Sequence, residues 1–386
     1  MPKHIIFGKP QINIQEQKNL IKVIRSNWIG TGPLVEKFEK KFREYKKSKY
    51  SISLNSCTAA LHLSLICLGI KKNDEVITTP LTFCSTVNSI LHAGGKPVLA
   101  DIDPKTLNID VKKIEQKITK KTKALILVHF AGLPCEMDKI CDLAKKYNLK
   151  IIEDCAHAIE AKYKKKDVGN FGEVGCFSFY VNKNITTGEG GMAIMKDKKI
   201  EQKFRFLRLH GISKDAWKRH SPESVSVNKK YQSYDLYYPG FKFNMIDIQA
   251  SIGLAQLSKI NKFWLKRKKI YETYRKKLAD LPIKFQQKLN IDYKHAYHLF
   301  TFHLDKKKTK KSRKQLIDYL TKNRIGFGIH YRAINDLNYY KKKYSWNKAT
   351  APIAHEISQN IISLPLYPNL KKDEMEYIIK KLKNFF

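Results

Sequence analysis

Acidic residues are scarce in this chain: 35 Asp and Glu stand against 74 Lys and Arg, a formal charge of +39 over 386 residues. No apolar run approaches the ~20 residues that a membrane-spanning helix needs, and the N-terminal MPKHIIFGKP has no secretory apolar core. The expectation is a cytoplasmic protein without integral membrane association. The seven cysteines (57, 67, 84, 135, 141, 155, 176) are odd in number, lack zinc-like spacing and fall mostly inside apolar segments. That pattern excludes a disulfide scaffold and a structural metal site, and predicts reduced, buried thiols. There is no internal repeat and no low-complexity linker.

The basic excess raises nucleic acid or an anionic membrane surface as partners. It is almost all lysine, however, spread in short runs along the whole chain beside abundant Ile, Asn and Tyr, which is a residue bias and not a binding stripe. No specific nucleic-acid partner is expected. The longest run, Lys306 to Lys314 (KKKTKKSRK), directly precedes the amphipathic stretch Gln315 to Asn323. It reads as a solvated turn with Ser312 as a helix cap.

From Tyr50 to about Met195, short apolar strands alternate with amphipathic segments: SISL, EVITT, KPVLAD, ALILVHF, KIIED, CFSFYV and GMAIM. This alternation predicts an α/β fold with a mostly parallel sheet covered on both faces, and a ligand site at the carboxyl ends of its strands. A helical arm, Gln15 to Tyr45, precedes the sheet and is broken at WIGTGP (Trp28–Pro33). The segment Ile246–Leu278 has helical periodicity and leads to a smaller C-terminal α+β domain. The expected division is a large domain over residues 1–255 and a small one over 256–386.

Two short segments carry the chemistry. In CFSFYVNKNITTGEGGM (Cys176–Met192), Lys183 lies between an apolar strand and a glycine-rich turn; in KIIEDCAH (Lys150–His157), a strand ends on Asp154. A lysine amine and a carboxylate at the ends of neighbouring strands suit pyridoxal phosphate, one to hold its aldehyde and the other to keep its ring nitrogen protonated. Desolvation should lower the lysine pKa and free the amine. Around this pair, the start of an apolar helix at Ser56, Cys57 and Thr58 offers N–H groups to a phosphate. Ser178 alternates with Phe177 and Phe179 and so faces away from them, where its hydroxyl can join. Phe83 follows a strand end and can stack on a pyridine ring. His157, three residues after Asp154, can reach the ring's phenolic oxygen or support the aspartate.

These residues, with FSF before Lys183 and TTGEGG after it, and with PGFKFNMIDIQASIG (Pro239–Gly253), VHFAGLP (Val128–Pro134), GIHYRA (Gly328–Ala333) and SLPLYP (Ser363–Pro368), resemble the DegT/DnrJ/EryC1/StrS family of nucleotide-sugar aminotransferases. The resemblance runs over nearly the whole chain. It implies a fold-type I pyridoxal phosphate enzyme with a seven-stranded sheet, acting as a homodimer whose active sites are each built from two subunits. Lys183 then takes the place of the Schiff-base lysine and Asp154 that of the partner of the pyridine nitrogen. Phe83 takes the stacking position, and Cys57, Thr58 and Ser178 match the phosphate cradle. The usual small residue at 57 is Cys here, so its contact should be through the backbone. Lys242 matches the residue that reaches the phosphate from the neighbouring subunit.

Many relatives carry Asn there with Arg at the place of Asn244; the Lys242/Asn244 variant, with HGISKDAW (His210–Trp217) and HYRA, looks most like enzymes aminating C4 of a UDP-linked 4-keto sugar. The resemblance implies L-glutamate as amino donor, pyridoxamine phosphate as the intermediate cofactor form, and a role in cell-surface polysaccharide. His210, His330 and Arg332 are candidates for nucleotide-sugar contacts, within a polar lid over residues 210–242 and the late HYRA segment. Dehydrating relatives replace the lysine by His, whereas Lys183 is retained. Two other readings remain: a 3-aminotransferase of the same family, and a catalytically inactive regulatory or polyanion-binding relative. A peripheral role at a membrane surface is compatible with activity.

Overall fold

The computed structural model describes residues 4–212 and 235–386. Two helices open the chain, α1 (Ile14–Arg25) and α2 (Pro33–Lys46), broken at the expected WIGTGP turn. Asn13 caps α1 through Gln15 N–H, with Glu16 closing a capping box. At the start of α2 the indole of Trp28 leaves no room for a Cβ on Gly32, so this N-cap position has no side chain to offer. Asp247 supplies the cap from far along the chain, accepting from Leu34 N (3.2 Å) and Val35 N (3.0 Å).

The sheet is built from β1 (Tyr50–Leu54), β2 (Glu75–Thr78), β3 (Lys96–Leu99), β4 (Thr122–Val128) and β5 (Lys150–Asp154), followed by β8 (Val174–Ser178) and β9 (Gly191–Met195). The two-residue strands β6 (Lys162–Tyr163) and β7 (Lys166–Asp167) form a side ribbon. The seven strands of the main sheet run in the order β1-β9-β8-β5-β4-β2-β3. Only β9 is antiparallel to its neighbours; the other pairings are parallel. The crossovers carry α3 (Cys57–Cys67), α4 (Cys84–His92), α5 (Val111–Glu115) and α6 (Met137–Lys146), and α7 (Lys198–Leu207) follows β9.

Alternation along the strands assigns each face its cover. On one side Ile52, Ala124, Ile126 and Ile152 meet α3 and α7 through Leu61, Leu65, Phe204 and Leu207. On the other, Leu125, Leu127 and Ile151 meet Ile140 and Leu143 of α6, while Phe177 and Met192 meet Phe38 and Phe42 of α2. Full burial of a Leu, Ile, Phe or Met side chain contributes roughly 1.5–3 kcal/mol relative to exposure. All strand ends except that of β9 therefore open at one edge.

A helix over Asp247–Ser258 packs on α1 and α2, and the helix Ile260–Lys277 runs on from it. Beyond lies a second, antiparallel sheet of Ile283–Phe285, Phe300–Leu304 and Ile361–Leu364. Its core joins Tyr274, Phe300, Phe302, Leu316, Leu320, Ile378 and Leu382. The start of the chain crosses to this unit: Ile5 pairs with Ile325 and enters the same core. Ser312 caps the helix Arg313–Lys322 as the sequence led one to expect, accepting from Gln315 N.

Candidate active site

A cavity of about 500 Å³ opens where β1, β2, β4, β5 and β8 end, and Cys57, Thr58, Phe83, Asp154, His157, Ser178, Lys183 and His330 all line it. The parallel register brings two of the key positions side by side, with Asp154 of β5 opposite Cys176 of β8. Five residues past the end of β8, Lys183 sits in the turn closed by its N–H to Tyr180 O (2.9 Å). Its amine has no hydrogen-bond partner among the described residues. Burial pulls its pKa down to about 8, against the opposing pull of Asp154 and Cys57.

Asp154 is buried, and burial pushes its carboxyl above the usual range; the Ala156 N–H (3.1 Å), the Thr86 hydroxyl (2.9 Å) and Lys183 work the other way. A positive charge brought against this carboxylate would be stabilised in a site with little water to screen it. Thr86 also meets Thr82 at 2.8 Å, so a two-hydroxyl chain orients Asp154. Phe83, at the N-cap of α4, is 58% exposed although apolar, and its open face lies in the cavity. An aromatic left bare there fits a flat ring as partner.

The amino end of α3 forms the opposite kind of surface. Ser56 caps it by accepting from Ala59 N (3.1 Å), and the N–H groups of Cys57 and Thr58 have no acceptor among the described residues. Together with the hydroxyls of Thr58 and Ser178 they suit a phosphate group. Burial, then Asp154 and Cys176, push the Cys57 thiol far up, so its contribution is the backbone N–H. Gly191 is required here: a Cβ on it would come 2.4 Å from Ser56 C and 2.5 Å from Cys57 N. The residues present thus fit each part of pyridoxal phosphate.

Of the four remaining expected residues, one lines the cavity and three do not. His330 lines the cavity, bonded through Nδ1 to Ser363 Oγ (2.9 Å) and stacked on Phe7, and burial followed by Lys183 brings its pKa down to about 4. Arg332 is exposed, turned to Asp336 O (2.7 Å), and does not line the cavity. His210 is exposed and likewise outside the lining, and of the expected lid residues 213–234 lie outside the described residues. Lys242 is exposed and absent from the lining of its own chain's cavity.

The sequence reading missed Thr86, and it named the HYRA segment without singling out Tyr331. Thr86 follows Phe83 by three residues on α4, one helical turn, and that spacing was a usable signal. Tyr331 Oη lies 2.9 Å from His157 Nε2, a contact no local pattern announces. His129, Glu153 and Cys155 also cluster, but His129 meets Glu153 at 3.1 Å, and Glu153 accepts from the N–H groups of Gly169, Phe171 and Gly172. That group is a satisfied buried network. Among the described residues no helix is long and apolar enough to cross a membrane.

Comparison with known proteins follows the same outline. The chain is 44% identical over 375 residues to MJ1066 of Methanocaldococcus jannaschii, covering 97% of this chain and 96% of that one. It is 39% identical over 379 residues to the spore coat polysaccharide biosynthesis protein SpsC of Bacillus subtilis, covering 98% and 96%. Among solved structures it matches the PMP form of the putative sugar aminotransferase Spr1654 from Streptococcus pneumoniae at a TM-score of 0.89 and 32% identity, covering 99% of this chain and 98% of that chain. The DegT/DnrJ/EryC1/StrS aminotransferase family profile matches residues 10–383, and the chain belongs to that family.

Proposed function

We propose that this aminotransferase uses pyridoxal phosphate to move an amino group from L-glutamate to the C4 keto group of a UDP-linked 4-keto sugar, in the cytoplasm, for cell-surface polysaccharide. The observation that carries the reading is the convergence of Lys183, Asp154 and the bare ring of Phe83 in one cavity beside the open N–H groups of α3. A sugar substrate is supported by Spr1654, and polysaccharide synthesis by SpsC. The Lys242/Asn244 pair and the HYRA segment support C4 and UDP.

Bound pyridoxal phosphate supplies an aldehyde for covalent attachment and a ring that takes up the electron pair released at the α-carbon. This chain's residues do the rest. With a pKa of about 8, Lys183 has roughly a tenth of its amine neutral at pH 7, enough to attack and to carry a proton. Its Nζ takes the proton from the donor's α-carbon and later delivers one to the sugar carbon. Asp154, oriented by Thr86, would hold a proton on the ring nitrogen electrostatically. The N–H groups of Cys57 and Thr58, with Ser178 and, in a homodimer, the partner subunit's Lys242, would hold the phosphate. Phe83 would cover one face of the ring and keep water from it.

The test is the absorbance spectrum of the purified protein, followed by addition of L-glutamate and then a UDP-4-keto-6-deoxy sugar. The expected result is a visible band that bleaches with glutamate and returns with the ketosugar, with the new amine at C4 by NMR. No return of the band with the 4-keto sugar, but return with a 3-keto nucleotide sugar, would move the protein to the 3-aminotransferase reading. A protein that takes up no pyridoxal phosphate would overturn the proposal and favour a regulatory role.

A further inference from the structure

The hydrogen bonding around His157 fixes the direction of a proton that no step above uses. His157 is buried, and its Nδ1 faces the backbone N–H of Ala131 at 3.3 Å. A ring nitrogen that accepts a hydrogen bond cannot itself carry hydrogen. Burial, then the charges of Lys183 and His330, hold the ring's pKa far below its usual value, so it has a single proton. That proton is on Nε2 and points at Tyr331 Oη, 2.9 Å away. The reverse polarity would set a proton on Nδ1 against the Ala131 N–H.

Tyr331 therefore accepts from His157, and its own hydroxyl hydrogen must point elsewhere. Burial, followed by Asp154 and Cys84, pushes its pKa up, so the hydrogen stays on. The hydroxyl has no second partner among the described residues, while Tyr331 lines the cavity with Lys183 and its ring centroid is 6.1 Å from that of Phe83. The arrangement is held from behind. Asn184, next to Lys183, gives its amide hydrogens to Glu160 Oε2 (2.7 Å) and Ala296 O (2.8 Å), so its oxygen faces His298 Nδ1 (3.0 Å). The His298 ring then lies 4.5 Å from that of His157.

We propose that Tyr331 donates a hydrogen bond to an anionic or carbonyl oxygen of the ligand held in the Lys183 cavity, with His157 as the residue that sets its polarity. The proposal rests on the reading above for the identity of that ligand. Two oxygens have the required chemistry: the ring oxygen of pyridoxal phosphate and the keto oxygen of the sugar.

The first test is NMR of protein labelled at the histidine ring nitrogens, without cofactor and loaded with it. His157 is expected as the neutral tautomer with hydrogen on Nε2 between about pH 6 and 9. A hydrogen on Nδ1, or titration near the ordinary histidine value, would overturn the polarity argument. The second is Tyr331→Phe, which keeps the ring. If the acceptor is the cofactor's oxygen, its dissociation constant rises about tenfold and the visible band shifts its pH midpoint. If it is the sugar's, the band is unchanged and KM for the ketosugar rises about tenfold while the glutamate half-reaction keeps its rate. A variant unchanged in both overturns the donor role. His157→Gln, which keeps an N–H near the Nε2 position, should retain most of the wild-type behaviour, and His157→Leu should behave as Tyr331→Phe. A wild-type protein that binds neither compound defeats the functional reading and the donor role with it, while the tautomer is still decided without cofactor.

Discussion

Glu160 is a buried acid that does not line the cavity. It is 1% exposed, bonded through Oε2 to Asn184, and its Oε1 has no partner. Burial raises its pKa from 4.5 to about 7, although Asn184 and Arg267 pull the other way. The folded protein thus binds more protons than the unfolded chain between those two values, and stability falls as pH rises through that window. Glu160→Gln keeps the oxygen that accepts from Asn184 and removes the buried charge. Its expected effect is near zero at about pH 4.5 and a gain on the order of 3 kcal/mol at about pH 8. Denaturant unfolding at both pH values checks this; a gain that does not grow with pH would defeat it. Asp154 could be read from sequence because an apolar strand segment ends on it, and Lys183 because a lone lysine stands between an apolar run and a glycine-rich turn. Arg332 was expected from the HYRA segment and a diphosphate's need for cationic donors, and it turned instead to the carbonyl of Asp336, a choice made by the local turn.

At the scale of elements, the phosphate end of the cavity depends on how closely β9 approaches the start of α3. Every atom that a Cβ on Gly191 would strike, Ser56 C, Ser56 O and Cys57 N, belongs to the backbone, so the helix start must move. Gly191→Ala is expected to cost about 1–3 kcal/mol of stability. It should also weaken pyridoxal phosphate binding at least tenfold, because the N–H groups of Cys57 and Thr58 lose their aim. Ser312→Ala provides the comparison: loss of an exposed cap costs about 1 kcal/mol and should leave cofactor affinity alone. Equal loss of affinity in both variants would show that Gly191 acts only through stability. The sheet and its helices were legible because strands buried on both faces are written as near-continuous apolar runs. The contacts between distant elements were not: Asp247 capping α2 and Tyr331 meeting His157 join residues more than 170 positions apart, and the sequence offers no periodicity that links them.

For the whole molecule, the cavity of one chain lacks one residue that the family resemblance led one to expect at the phosphate. Lys242, the cation expected at the phosphate, is exposed and does not line it, while α1 leaves Ile14, Ile21 and Ile24 exposed on one stripe, with Ile14 61% exposed. An apolar stripe on an otherwise charged surface suits a second copy of the chain. A homodimer that exchanges Lys242 between subunits makes a prediction that a self-contained site does not. Lys183→Ala cannot turn over, and Lys242→Ala should hold the cofactor poorly. In a mixed dimer, one site then combines both defects, and the other combines the intact Lys183 of one subunit with the intact Lys242 of its partner. Co-expression of the two variants in equal amounts should therefore restore about a quarter of the sites to full function. Activity would exceed the mean of the two parent proteins, and purification by two tags would concentrate it in the mixed species. If each chain completed its own site, the mixed dimer would hold one site lacking Lys183 and one lacking Lys242, and its activity would not rise above that mean.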